Sequence, residues 1–250
     1  MTNTTLQKWE FGALNLYNYD APGTLACYYD FLKNNAARLE GDVAEFGVYQ
    51  GKSLISTAIL LRNLSADKTV YGFDSFSGFP AIHEKDDIRN FKLLFDTGAI
   101  TKEHYDNVQL NIRHRQLLQN DLTAANISNS GNFDNCNDSL ILKKCDYLEL
   151  GNVSLVKGDF SDTLAGFDKD VRFSAVLLDC DLYQGYMDVL EFAWPRMVSG
   201  GMIYLDEYFS LKFPGARIAC NEFFETHDIT PRQYKPEFHD DFERWYIIKP

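Results

Sequence analysis

Val176-Leu-Leu-Asp179-Cys-Asp181-Leu-Tyr183 is an apolar run that ends in two carboxylates one residue apart, followed by an aromatic residue. A second run of the same design is Met202-Ile-Tyr-Leu-Asp206-Glu207-Tyr208. Two buried strands that each end in two acids bring four carboxylates to one edge of a sheet. Clustered carboxylates repel one another unless a cation lies among them or some keep their protons. We therefore expect a divalent-metal site at the mouth of an α/β fold.

An acid and two glycines mark an earlier turn, in Asp42-Val-Ala-Glu45-Phe-Gly47-Val-Tyr-Gln-Gly51-Lys-Ser53. This stretch predicts a short strand, a turn, and a helix from Ser53 to about Leu64. Glycines allow a ligand to approach the backbone, and a helix N-terminus favours a negative group. The stretch is not a Walker A loop, because Phe46 stands where the first glycine is required, and it also lacks the third glycine of GxGxxG. Taken alone, it is equally well interpreted as an ordinary strand-to-helix turn.

Two further acids follow predicted strands. Asp74 ends the strand 69–73, about 20 residues beyond the glycine turn, where doubly wound folds place an acid that binds ribose hydroxyls. Asp159 follows the strand 153–156 and is adjacent to Phe160. Each acid has a simpler interpretation as a helix cap or a solvated side chain. Together they indicate a nucleoside pocket beside the carboxylate site.

The alternation of strands and helices predicts a doubly wound, mostly parallel sheet, with an antiparallel pair near 230–235 and 243–249. We expect one domain over residues 1–250, with residues 1–40 as an N-terminal helical cap. Residues 84–150 are polar, with helical patches near 86–96 and 101–119 and many turn-forming residues. Long connections of this kind are often functional, so we expect a lid insertion or an oligomer contact.

Composition narrows the class of partner. The formal net charge of −12 argues against nucleic acid and against anionic membranes. Five cysteines without a CxxC pair indicate reduced thiols. The N-terminus shows no signal peptide, and no apolar run approaches the ~20 residues that span a bilayer. We expect a cytoplasmic protein.

The ordered set of motifs resembles the macrocin O-methyltransferase (TylF-like) family, which are class I, S-adenosylmethionine- and metal-dependent sugar O-methyltransferases. The resemblance covers about 42–82 and 153–225 and implies a Rossmann-like class I methyltransferase sheet. The matching segments are Glu45-Phe-Gly-Val-Tyr-Gln-Gly51, Phe73-Asp-Ser-Phe-Ser-Gly-Phe-Pro80, Val156-Lys-Gly-Asp-Phe-Ser-Asp-Thr-Leu164, Leu178-Asp-Cys-Asp-Leu-Tyr183, Gly200-Gly-Met-Ile-Tyr-Leu-Asp-Glu-Tyr208 and Gly215-Ala-Arg-Ile-Ala-Cys-Asn-Glu-Phe-Phe224.

The resemblance also implies how S-adenosylmethionine is bound. The glycine turn would hold its methionine part, Asp74 its ribose hydroxyls, and Asp159 its adenine amino group, with Phe160 packed nearby. The implied cofactor-binding residues are Glu45, Gly47, Tyr49, Gly51, Ser53, Asp74, Ser75, Asp159, Phe160 and Asp179.

The four clustered acids take two roles by the same resemblance. Asp179, Asp206 and Glu207 match the metal carboxylates, and Asp181 matches the general base. Oxygen ligands suit Mg²⁺ or Mn²⁺ better than zinc. The metal would orient a sugar hydroxyl, Asp181 would take its proton, and the oxygen would attack the sulfonium methyl group.

Departures from the family pattern bear on the acceptor. Asp206-Glu207 replaces the usual Asp-Asp, and Gly185-Tyr186 replaces small hydroxyl residues. The chain favours Asn, Lys, Phe, Tyr and Ile, unlike antibiotic-pathway members from Arg- and Ala-rich proteomes. We therefore expect a nucleotide-linked sugar for surface polysaccharide as the small-molecule substrate, and a homodimer.

Other interpretations stay open. The acceptor is an antibiotic-linked sugar in one alternative. In another, a metal-dependent hydrolase uses the same carboxylates, and Asp74 and Asp159 have no nucleoside to bind. A non-catalytic binding module is the third. Arg217 would bind a substrate phosphate or form a salt bridge, and His83 or His104 would contact substrate or lie in the lid or on the surface.

Overall fold

The computed structural model describes residues 6–235 and 242–250. One sheet of seven strands runs through this part of the chain, in the order β3-β2-β1-β4-β5-β7-β6. Strands β1 to β5 are parallel, and β7 is antiparallel to both of its neighbours. The predicted doubly wound sheet with an antiparallel C-terminal strand is confirmed. The strands are β1 (Asp42–Phe46), β2 (Val70–Asp74), β3 (Val153–Lys157), β4 (Phe173–Leu178), β5 (Met197–Leu205), β6 (Arg232–Tyr234) and β7 (Arg244–Ile248).

Helices cover both faces of the sheet, so the central strands are buried on both sides. In β4, Ala175 and Leu177 pack with one group of helices, and Val176 and Leu178 pack with the other. Successive side chains of a strand point to opposite faces, which explains the unbroken apolar run at this position. The helices are α1 (Lys8–Ala13), α2 (Ala26–Asn35), α3 (Lys52–Asn63), α4 (Asn90–Asp96), α5 (Lys102–Gln116), α6 (Asp138–Tyr147), α7 (Phe160–Gly166), α8 (Tyr183–Ala193) and α9 (Pro214–His227).

The strand order reverses between β1 and β4, which are hydrogen-bonded neighbours at the centre of the sheet. Ligands of doubly wound sheets bind in the crevice outside the strand ends at such a reversal. The glycine turn follows β1, and the Asp179 to Asp181 stretch follows β4. The topology therefore places the two strongest sequence motifs side by side.

The segment 84–150 contains a 3₁₀ turn (Glu84–Asp86) and helices α4, α5 and α6. Helices α4 and α5 correspond to the two predicted helical patches and bury a small apolar cluster of their own. Helix α6 was not predicted. Asn137 caps it by accepting a hydrogen bond from the N–H of Leu140, and Ile141 and Cys145 are buried in the main core.

Among the described residues, no helix has the length and apolar composition required to cross a membrane. The longest, α5, has 15 residues and a polar, charged sequence.

Candidate active site

A cavity of about 350 Å³ opens at the carboxyl ends of β1 to β5. Its volume is typical of a small-molecule site, for which about 300–1,000 Å³ is usual. Every residue predicted for the site lines this cavity except Glu45 and Gly51. The acids that line the cavity are therefore brought together in space, although they come from the ends of four different strands, β2 to β5.

The glycine turn packs directly against the strand that carries the acids. Gly47 has φ +92°, and a Cβ there would lie 1.8 Å from the carbonyl oxygen of Asp179. The N–H of Asp179 in turn donates to the carbonyl of Phe46 at 2.9 Å. Gly51 has φ +72°, and a Cβ there would contact Ile141 of α6 at 2.9 Å. Glycine is required at both positions, because a side chain would separate the turn from its neighbours.

Glu45 lies beneath this turn and is completely buried. Its Oε1 accepts a hydrogen bond from the Ser53 hydroxyl at 2.6 Å, whereas its Oε2 has no hydrogen-bond partner within the described chain. Burial raises the pKa of the Glu45 carboxyl to about 8, against the lowering effect of the Ser53 hydrogen bond. A buried acceptor without a partner fits a ligand that brings a donor, such as the ammonium group of a methionine moiety.

Asp74 joins β2 to the same turn. Its Oδ2 accepts hydrogen bonds from the N–H groups of Val48 and Tyr49, both at 2.8 Å, and its Oδ1 accepts from Phe76 at 2.6 Å. Because no helix begins here, the simpler interpretation of Asp74 as a helix cap is wrong. Ser75 lies next to it and donates to the carbonyl of Gly78 at 3.0 Å.

Asp159 combines a structural role with a place in the cavity. It caps α7, since its Oδ1 accepts from the N–H of Ser161 at 2.9 Å and from the hydroxyl at 2.7 Å. Phe160 is the first residue of that helix, and its ring lies 5.8 Å from the ring of Phe46. The simpler interpretation as a helix cap is therefore correct for Asp159, and both residues line the cavity.

The four acids that follow β4 and β5 form one cluster. Carboxylate oxygens of Asp179, Asp181 and Glu207 lie within 4.8 Å of one another. Asp206 lies within hydrogen-bonding reach of Asp179 and Glu207. The tightest set thus includes Asp181, which was assigned to proton transfer, so the division into three metal ligands and one base stays a prediction. An all-oxygen set of this kind fits a hard divalent cation such as Mg²⁺ or Mn²⁺.

Burial raises the pKa of every acid in the cluster, and neighbouring carboxylates add to this effect at Asp179, Asp181 and Glu207. The pKa values of Asp179 and Glu207 are raised well above their usual range, and that of Asp206 is also raised, with burial as the main cause. Burial raises the pKa of Asp181 to about 7, although the Lys212 ammonium opposes this effect. Without a cation, four carboxylates at this spacing keep some of their protons.

Two polar residues that the sequence did not indicate also line the cavity. Tyr17 lies between α1 and α2, and although 45% of the residue is exposed, its partial burial together with Asp179 and Asp206 raises its pKa to about 12. Lys212 follows the second acid pair, and its ammonium makes no ion pair within residues 6–235 and 242–250. As a cation close to the acid pair, Lys212 offered a sequence signal, whereas Tyr17 offered none.

The segment 84–150 also contributes to the cavity wall, through Ser128, Ser130 and Phe133. The ring of Phe133 lies 5.2 Å from that of Tyr49 and 4.9 Å from that of Phe79. These contacts place the segment over the glycine turn and the Asp74 loop.

Arg217 adopts neither predicted role. Its guanidinium donates to the carbonyls of Tyr208 and Ala99 and stacks on the Tyr208 ring at 3.7 Å. It forms no salt bridge within the described residues and does not line the cavity. His83 and His104 also lie outside the wall of this cavity, where His83 contacts the Tyr183 ring at a tilt and His104 stacks on Phe209.

The sheet order and the cavity at its reversal define the Rossmann-like fold of the class I methyltransferases. A solved structure of the O-methyltransferase NovP shares this fold with a TM-score of 0.61 and 22% identity, over 91% of this chain and 78% of that one. The chain belongs to the macrocin O-methyltransferase (TylF) family, whose sequence model matches residues 30–126 and 141–235.

Two curated relatives are similar over most of this chain. The mycinamicin III 3''-O-methyltransferase of Micromonospora griseorubida is 29% identical over 193 residues, which are 76% of this chain and 63% of the relative. A 4'-O-methyltransferase of Streptomyces olivaceus, named for an 8-demethyl-8-(2,3-dimethoxy-alpha-L-rhamnosyl)-tetracenomycin C, is 28% identical over 172 residues, covering 67% and 53%. The chain thus spans between half and two thirds of the length of these relatives.

Proposed function

We propose that this protein is an S-adenosylmethionine- and divalent-metal-dependent O-methyltransferase that acts on a sugar hydroxyl. The observation that carries the proposal is the meeting of the glycine turn, Asp74 and four clustered carboxylates in one cavity. Membership of the family and the names of the relatives support the same reaction class.

The residues present fit both groups that the reaction needs. Glu45, with its unpartnered oxygen, and the turn 47–51 would hold the methionine part of the cofactor, and Asp74 and Asp159 its nucleoside. Asp179, Asp206 and Glu207 would hold the metal. When bound, S-adenosylmethionine supplies a sulfonium methyl group, and Mg²⁺ or Mn²⁺ supplies positive charge beside the reacting hydroxyl.

Asp181 is the proposed base. Its carboxylate lines the cavity and is only 6% exposed, so little water competes for it. A raised pKa makes a carboxylate a stronger proton acceptor, because a base works best when its pKa is near the working pH. Asp181 would take the proton of the sugar hydroxyl and so prepare its oxygen to accept the methyl group that the bound cofactor would supply. Alignment of the hydroxyl by the cavity wall lowers the barrier further.

For the acceptor, we propose a nucleotide-linked sugar used in surface polysaccharide. Lys212 supports an anionic substituent, since its ammonium lines the cavity and makes no ion pair within the described residues. An antibiotic-linked sugar is the second candidate, and the names of the two relatives favour it.

A methyl-transfer screen separates the candidates. The purified protein is chelated and then assayed with S-adenosylmethionine, with and without added Mg²⁺ or Mn²⁺, on nucleotide sugars, simple glycosides and macrolide-linked sugars. Metal-dependent transfer to a nucleotide sugar is expected. Transfer to macrolide-linked sugars alone would refute the nucleotide-sugar acceptor and leave the reaction class intact.

Calorimetric titration with S-adenosylhomocysteine tests the cofactor independently of the acceptor. Binding is expected, and its complete absence with and without metal would favour a hydrolase that uses the same carboxylates. If the cofactor product binds, loss of methyl transfer in folded Asp179→Ala and Asp206→Ala variants excludes a non-catalytic binding module.

We further propose that residues 1–40 act as a cap and 84–150 as a lid, within a single domain of a cytoplasmic homodimer. The places of Tyr17 and Phe133 in the cavity wall support the cap and the lid. Light scattering coupled to gel filtration measures the oligomeric state, and a monomeric mass at micromolar concentration would contradict the dimer.

A further inference from the structure

We infer that Asp86 is a positioning residue that holds the Asp181 carboxylate in its working place, an inference that rests on the proposed function of Asp181. Asp86 lies at the start of the proposed lid, outside the cavity wall. It is nevertheless tied to the helix that begins directly after the carboxylate cluster.

The carboxylate of Asp86 is completely buried, and each of its oxygens accepts a hydrogen bond. Its Oδ1 accepts a hydrogen bond from the N–H of Tyr183 at 2.7 Å, and its Oδ2 accepts from the N–H of His83 at 3.0 Å. Tyr183 is the first residue of α8 and stands two positions after Asp181. The bond therefore fixes the chain where it leaves the proposed base.

Helix α8 has no side-chain cap of its own. Leu182 occupies the N-cap position, and no side chain at that position accepts an N–H of the first turn. Asp86 supplies the missing acceptor from 97 residues away, and its negative charge suits a helix N-terminus. Gly215 of α9 makes room for it, because a Cβ at that position would lie 1.9 Å from the Asp86 oxygen.

A second layer of contacts holds the same tyrosine. Lys85 donates to Glu222 at 2.6 Å and to the Tyr183 hydroxyl at 2.9 Å, and that hydroxyl donates to Glu222 at 2.7 Å. The ring of His83 lies 4.7 Å from the Tyr183 ring. Side chains of His83, Lys85 and Asp86, at and just before the start of the lid, and Glu222 of α9 thus converge on one residue.

Asp181 needs such support because its backbone is strained. It has φ +63°, a conformation that residues with a side chain rarely adopt and that persists only where the surroundings impose it. Two anchors flank it, one from the N–H of Asp179 to Phe46 and the other from the N–H of Tyr183 to Asp86. Without the second anchor, the chain at residue 181 can relax and move its carboxylate away from the acceptor.

Asp86→Asn tests the inference with little change of volume. An amide has one oxygen, so one of the two N–H donors loses its acceptor, and the charge at the helix terminus is lost. Asp87→Asn is the matched control, because Asp87 is adjacent but pairs with Arg89 at the surface. We expect Asp86→Asn to lower kcat by roughly 10- to 100-fold, while KM and the Kd for S-adenosylhomocysteine change less than about threefold.

Equal kcat values for Asp86→Asn and Asp87→Asn would overturn the inference. So would a parallel loss of kcat, substrate affinity and cofactor affinity, because general destabilisation affects all three. If Asp86→Asn does not fold, Glu222→Gln, which weakens the outer contacts, must lower kcat selectively, and an unchanged kcat would overturn the inference.

A crystal structure of the variant gives a readout independent of turnover. We expect the Asp181 carboxylate to be displaced while Asp179 stays in place, and an unmoved Asp181 would contradict the positioning role. If the wild type methylates no acceptor, the proposed function fails, but a displaced Asp181 still confirms the structural link.

Discussion

Replacing Glu45 by glutamine should change how the stability of the protein depends on pH. The carboxyl is buried, and its pKa is raised from the ordinary value of 4.5 to about 8. In the variant, the amide oxygen can still accept the hydrogen bond of Ser53, and the group no longer ionises. The two proteins thus differ mainly in the energy needed to keep a charge at this position.

The sign of the effect follows from proton linkage. Between the unfolded and folded pKa values, the folded protein binds the proton and the unfolded chain does not. The favourable contribution of the raised pKa is therefore present below pH 4.5 and is lost progressively as the pH rises towards about 8. With 1.36 kcal/mol for each pKa unit, the loss between pH 5 and pH 8 is on the order of 3 kcal/mol.

Thermal or urea unfolding at several pH values measures this loss. At pH 5 we expect wild type and Glu45→Gln to have similar stability. At pH 8 the variant should be more stable by a few kcal/mol, or roughly 5–10 °C in Tm for a chain of this size. Glu225→Gln is the control, because Glu225 is exposed on α9 and should show no such divergence.

A constant difference between wild type and Glu45→Gln from pH 5 to pH 8 would refute the reasoning. It would mean that Glu45 is ionised in the folded protein, and that the unpartnered oxygen is satisfied by water. The measurement is made without metal or cofactor, since either would change the charges near this carboxyl.

Three further results are expected. Asp206→Asn should weaken Mg²⁺ or Mn²⁺ binding in calorimetry by at least about tenfold, since a charged ligand oxygen is lost. Asp162→Asn, an exposed position on α7, is the control, and equal affinities of the two variants would exclude Asp206 from the metal site. Asp74→Ala should weaken S-adenosylhomocysteine binding by about tenfold or more, because three N–H groups of the binding loops lose their acceptor; unchanged binding would exclude Asp74 from the cofactor site. Lys212→Met should raise KM for a nucleotide sugar by about tenfold and leave KM for an uncharged glycoside unchanged. The surface variant Lys169→Met is the control, and equal effects of Lys212→Met on both acceptors would rule out an anionic contact.

Local patterns were sufficient to predict the sheet and most of its acids. Strands such as β4 are buried on both faces, so they appear in the sequence as short apolar runs, and the acids after them mark their carboxyl ends. The convergence of Asp74, Asp179 and Asp206 then follows from the topology of a doubly wound sheet. The ordered set of motifs was sufficient to predict the family as well.

Contacts between distant parts of the chain were not predictable in this way. Tyr17 reaches the cavity from a segment without periodicity, and the role of Asp86 depends on a hydrogen bond to Tyr183 and on a glycine in α9. Helix α6 follows a long turn-rich stretch, which made its short amphipathic pattern difficult to separate from loop. Each of these features depends on packing between elements that are distant in the chain, and such packing produces no local pattern in a single sequence.

The close approach of Gly47 to the Asp179 carbonyl has a consequence for how the proposed acceptor choice can be changed. With no space for even one methyl group, the glycine turn and the acid-bearing turn after β4 are in direct backbone contact. A substitution that displaces one turn is therefore expected to disturb the other, and with it both proposed binding functions. New acceptors are then reached by varying the segments that only border these turns, around Tyr17, Phe133 and Lys212. A library built to alter acceptor choice should randomise those segments and leave the two central turns unchanged.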